Sequence, residues 1–85
     1  MSTIYLKKQF KDGMVYYKID PIANPEDEYV YDGVEIAVGT TDETSGRDEF
    51  ELTDEDLKEM YDDGFAEIPA AEFEKVEAEH RSLDI

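Results

Sequence analysis

The chemistry open to this chain is that of carboxylates. The stretch from Asp48 to Glu79, DEFELTDEDLKEMYDDGFAEIPAAEFEKVEAE, holds most of the 24 acids of the 85-residue sequence. Within it Glu55, Glu59 and Asp62 follow one another at i, i+4 and i+7. On a helix such residues form one row, with neighbours about 5–6 Å apart. That is comparable to the separation of successive phosphates along a nucleic-acid strand. Like charges so placed destabilise an isolated helix by a few tenths of a kcal/mol per pair. A surface that accepts this cost repeatedly is a candidate for use. Asp63, Glu72 and Glu79 extend the set as flanking charge.

The other chemistries find no such support. There is no cysteine, hence no disulfide framework, thiolate metal site or cysteine nucleophile. The run Asp42 to Asp48 is acidic and contains glycine, but its glycine is fifth rather than sixth. Thr53 stands where a calcium-binding loop needs its twelfth-position glutamate. The single histidine, His80, has no nucleophile placed beside it by any motif and reads as structural. No glycine-rich phosphate loop and no G-x-S-x-G elbow is present. With so many acids, some pair at a glycosidase-like separation is expected by chance and carries no weight. The reading is therefore non-enzymatic, with no catalytic residue, metal ligand or cofactor assigned.

The elements that must position these acids follow from periodicity. The net charge of −16 is about double the usual range for a small domain. The 40% hydrophobic content, with six tyrosines and four phenylalanines, nevertheless favours one folded domain. Thr3 to Phe10 alternates, and Asp12-Gly13 signals a hairpin pairing Lys11 with Met14, Phe10 with Val15 and Leu6 with Ile19. Ile4, Leu6, Phe10, Val15, Tyr17 and Ile19 then share a face, with Lys8 among them. Tyr5, Lys7, Lys11, Tyr16 and Lys18 share the other, where Tyr5 and Tyr16 could serve as contact residues. Asp20 to Glu28 is a proline-containing loop. A second hairpin is expected around Asp32-Gly33, joining Tyr29–Tyr31 to Val34–Val38. Gly39 to Asp48 is a polar loop, and Glu49 to Leu52 adds a short strand.

Thr53 and Asp56 have capping-box spacing ahead of a helix whose buried stripe is Leu57, Met60 and Tyr61. Gly64 ends it, Phe65 and Ile68 bracket a short link, and Pro69 opens a second helix with Phe73 and Val76 inward. The expectation is an α+β domain: an antiparallel sheet of four or five strands with two C-terminal helices on one face. Residues 1–52 form its β-rich half, 53–81 its acidic helical half and 82–85 a tail.

Charge also bounds the partners. Residues 1–40 hold seven acids against four lysines; residues 41–85 hold seventeen against four basic groups. Such asymmetry argues against direct contact with nucleic acid or an anionic membrane and for a basic partner. No apolar run marks a signal peptide, which points to the cytoplasm.

In size, acidity and β-rich layout the whole chain resembles the small acidic inhibitors encoded by bacteriophages. These include the inhibitor of uracil-DNA glycosylase and anti-CRISPR proteins, several of which are DNA mimics. The resemblance rests on composition and layout, not on a motif. It implies an acidic face, here Glu55, Glu59, Asp62, Asp63, Glu72 and Glu79, held in the nucleic-acid groove of a basic host protein. If the chain is phage-encoded, it would act in the host cytoplasm. The alternative is a small structural or adaptor protein of a phage or bacterium, binding through its β face.

Overall fold

The computed structural model describes residues 3–11, 13–39 and 46–83, with side chains as far as 79. Alternation of apolar and polar residues gives β1 (Ile4–Phe10) and β2 (Gly13–Pro21). They pair antiparallel with Ile4 opposite Ile19, Leu6 opposite Tyr17 and Phe10 opposite Gly13. The register is thus displaced by two residues from the one the Asp12-Gly13 signal predicts. A shift of two keeps every side chain on its expected face. Gly13 is the first residue of β2, at φ +151°, and a Cβ there would lie 2.2 Å from the Val38 carbonyl oxygen. Close approach of the next strand explains this glycine. Pro21 closes β2 instead of opening a loop, and Ile22 N–H donates to the Val30 carbonyl (2.9 Å) to fasten the excursion between them.

β3 (Tyr31–Gly39) runs uninterrupted through Asp32-Gly33, where a turn is expected from sequence. Gly33 pairs with Ile19 on one side and Phe50 on the other. A Cβ at Gly33 would meet the Phe50 ring at 2.8 Å and the Leu52 side chain at 3.0 Å. The glycine makes room for side chains crossing over it; it does not turn the chain. β4 (Gly46–Leu52) begins earlier than expected, and the rest of the predicted polar loop, 40–45, lies outside the described residues.

Thr53 then caps α1 (Asp54–Asp62), followed by β5 (Ala66–Glu67) and α2 (Ala70–Leu83). The helix thus takes in 82 and 83, which the sequence suggests as part of a tail. The sheet is five-stranded and antiparallel, in the order β4-β3-β2-β1-β5. The fold is α+β, with the fifth strand supplied by the link between the helices.

The helices do not share a face of the sheet. Leu57 of α1 joins Leu6, Ile19, Tyr31 and Leu52 in the buried cluster, with Phe50, Met60 and Phe65 packed against it. Tyr5, next to Leu6 in the strand, points the other way. Its ring lies 5.4 Å from that of Phe73 in α2, and Lys7 on the same side meets Glu72. Phe73 and Ile36 are fully buried on this second face. The chain passes from one face to the other around the β1 edge. There β5 pairs Glu67 with Leu6 and Ala66 with Lys7, and Ile68 N–H donates to the Tyr5 carbonyl (2.9 Å). Two faces covered by two helices replace the expected single covered face. No helix among the described residues is long and apolar enough to cross a membrane.

Candidate functional site

The α1 carboxylates sit on a helix fixed at both ends. The capping box is complete: Asp56 N–H donates to Thr53 Oγ1 (3.2 Å) and Thr53 N–H donates to Asp56 Oδ2 (3.0 Å). Tyr31, buried beneath, anchors the first turn through Asp54; burial first and this hydrogen bond second raise its phenol above the ordinary value. At the far end Gly64, at φ +100°, lets its own N–H reach the Tyr61 carbonyl (3.2 Å) and that of Phe65 reach the Met60 carbonyl (3.1 Å). This paired C-terminal arrangement requires a left-handed residue. Lys8 adds a cross-tie, donating to the Asp63 carbonyl with its ammonium 5.1 Å from the Phe10 ring centre and 5.7 Å from that of Phe65.

On this frame Glu55, Glu59, Asp62 and Asp63 all stand exposed. Among the described residues no basic side chain makes an ion pair with any of them. No basic residue occupies the last turn, where a cation would suit the negative end of the helix dipole. Lys58, exposed on the flank of the row, is the one basic residue within α1. The buried stripe is narrower than its spacing predicts. Leu57 is buried and Met60 half-buried, but Tyr61 is 40% exposed. Its hydroxyl donates to Glu67 of β5 (2.7 Å). Partial desolvation and that bond push the phenol up to about 12.

The two acids expected from α2 lie on the opposite side of the sheet. Glu72 accepts from Lys7 at 2.8 Å, and the pairing raises the lysine above its ordinary value. Glu79 is exposed. The six residues therefore divide into four on the α1 side and two on the α2 side, not one continuous surface. Tyr5 and Tyr16, the alternative contact residues, are both half-buried, and Tyr5 lies under Phe73. His80 lies in α2 with its side chain outside the described set, as do Asp42 to Ser45 of the calcium-like run.

Sequence spacing misses the acids that other elements bring to α1. Glu28, from the excursion between β2 and β3, shares a shallow recess with Thr53, Asp54 and Glu55. The acidic run Glu26-Asp27-Glu28 is the available signal, but nothing local says where it docks. Beneath the helix, Tyr17 donates to Glu35 (2.8 Å) between the rings of Phe50 and Phe65, at 5.5 and 5.0 Å. Burial, then that bond, raise its phenol well above the ordinary tyrosine value. Compared with models of protein families, with curated proteins and with solved structures, the chain matches none.

Proposed function

We propose that this is a non-enzymatic acidic inhibitor of a nucleic-acid-binding protein, presenting carboxylates in place of phosphates, in the manner of anti-CRISPR and related phage-encoded mimics. The observation that carries the reading is the row Glu55, Glu59, Asp62 and Asp63, exposed and, among the described residues, without ion-pair partners on a doubly capped helix. Rigidity matters because carboxylates held in place lose little freedom on binding. Each one meeting a lysine or arginine would displace the counterpart phosphate contact. Binding would then be competitive with nucleic acid and strongly salt-dependent. Glu28 and Asp54 extend the row at its N-terminal end. Glu72 and Glu79, facing away, fall outside a contact centred on α1. The site of action is the cytoplasm, that of the host if the chain is phage-encoded.

The test is capture from host lysate on the immobilised protein, eluted by a salt gradient and, separately, by duplex DNA. It is run beside the Glu55→Gln/Glu59→Gln/Asp62→Asn variant. A nucleic-acid-binding complex that elutes late, is displaced by DNA and is absent from the variant supports the proposal. Retention of the same partner by the variant, or indifference to salt and DNA, overturns it.

A further inference from the structure

The β4 edge of the sheet offers a second contact, distinct from the α1 row. The strand order leaves one side of β4 without a strand partner among the described residues. Asp48, Glu49 and Glu51 on it are exposed, and a Cβ built at Gly46 would meet nothing within 4 Å. Its pairing with β3 sets like charges directly opposite each other on both faces: Asp32 against Glu51 on one, Glu35 against Asp48 on the other. Opposed residues of an antiparallel pair hold their Cβ atoms about 4.5–5.5 Å apart, and like charges so placed destabilise the sheet. A shallow recess lined by Asp32, Gly33, Val34, Glu49 and Phe50 opens beside the strand. These features converge on a cationic guest rather than a neutral one.

From this geometry we infer that β4 accepts an extended basic segment of a protein partner as a sixth strand. Main-chain hydrogen bonds supply the attachment and alternate side chains the selection. Side chains of an added strand fall beside those of β4 in alternation. Lysine or arginine fits opposite Glu51, Glu49 and Asp48, and an apolar residue opposite Phe50. An acid fits opposite Arg47, whose guanidinium already donates to Glu49 at 3.1 Å. A second copy of this chain is disfavoured, because antiparallel β4 against β4 centred on Glu49 sets Glu49 against Glu49 even where Arg47 meets Glu51.

The probe is the capped peptide acetyl-TKVKKET-amide, with its charge-reversed form acetyl-TEVEEKT-amide as control. Binding is followed by amide NMR and hydrogen exchange on the full chain at low salt. The inference predicts that the basic peptide shifts β4 resonances and slows exchange of those β4 amides that point away from β3, while the control does neither. Glu49→Gln/Glu51→Gln, which relieves the Asp32–Glu51 repulsion and gives up only the exposed Arg47–Glu49 ion pair and so keeps the fold, weakens binding about tenfold, the equivalent of two modest ion pairs. The α1 variant Glu55→Gln/Glu59→Gln/Asp62→Asn leaves the β4 signature in place. No binding, shifts confined to α1, or equal binding by the Glu49/Glu51 variant each overturns the inference. None of these bears on the lysate capture that tests the α1 row.

Discussion

α1 and α2 are both acidic helices laid on the same sheet, yet their charges are handled differently. On α2 Glu72 turns back to Lys7, and the helix is seated by Phe73 against Tyr5. On α1 the carboxylates point away, the packing is left to Leu57 and Met60, and order comes from hydrogen-bonded caps at each end. One helix turns its charge back to the sheet beside its apolar seat; the other is held by Leu57 and Met60 together with its capped ends, which leaves its outer face free. An unpaired charged face is compatible with a stable helix only where something other than charge fixes it.

The strongest way to break this contrast is to remove the seat of each helix. Phe73→Ala should cost about 3–5 kcal/mol and Leu57→Ala about 2–5 kcal/mol in urea unfolding, since both side chains are buried. Domains of this kind hold only about 5–15 kcal/mol in total. Either loss should therefore move the midpoint well below wild type. A Phe73→Ala protein as stable as wild type would show that α2 is not seated by its side chains.

The next effect is one of pH. Tyr17 and Tyr61, both on the α1 side, have phenols raised above the ordinary value of 10.0, Tyr61 to about 12. The unfolded chain loses these protons more readily than the folded one. The stability they contribute is present below pH 10.0 and is lost as the pH rises through the raised values. Denaturation at rising pH should show midpoints falling above pH 10.0, with Tyr17→Phe flattening the fall. An unchanged slope in that variant would remove Tyr17 from the account.

Smaller still is the cap. Thr53→Ala should cost about 1 kcal/mol, readable as a drop in the thermal midpoint with the α1 signals fraying first. An equal loss of order in α2 would mean that the two helices are not held separately.

The finest test is one of sign. Glu72→Gln should destabilise by about 0.2–1 kcal/mol, the value of an exposed ion pair. Glu55→Gln/Glu59→Gln/Asp62→Asn should stabilise by a few tenths of a kcal/mol per relieved pair, more at low salt. Loss of stability in the α1 variant would mean that those acids have partners, and the contrast would fail.

Sequence makes the local devices legible. Thr53 with Asp56, Gly64 and Pro69 all mark real helix boundaries, because caps and breaks depend on neighbours a few residues away. The two Asp-Gly dipeptides show where this stops. One lies at a real reversal, though with a shifted register; the other is in mid-strand, where Phe50 and Leu52 pass over Gly33. Around it the apolar phase changes, Tyr31 facing α1 and Ile36 facing away. In sequence that change looks like a turn, whereas it marks a strand covered on both sides. The division of the six acids is hidden for the same reason. Their spacing within each helix is visible, but the passage of the chain around β1 is a tertiary fact carried by Ala66 and Glu67.

That passage also limits how many guests the sheet can take. β5 and Ile68 close the β1 border from Tyr5 to Lys7, and β5 itself offers only two residues to any newcomer. A sheet with two long free borders can extend indefinitely into a fibril. With the β1 border covered over Tyr5 to Lys7, β4 is the long border left open among the described residues. A strand added at β4 would then be a single addition, so a high local concentration of the protein should yield finite complexes rather than filaments.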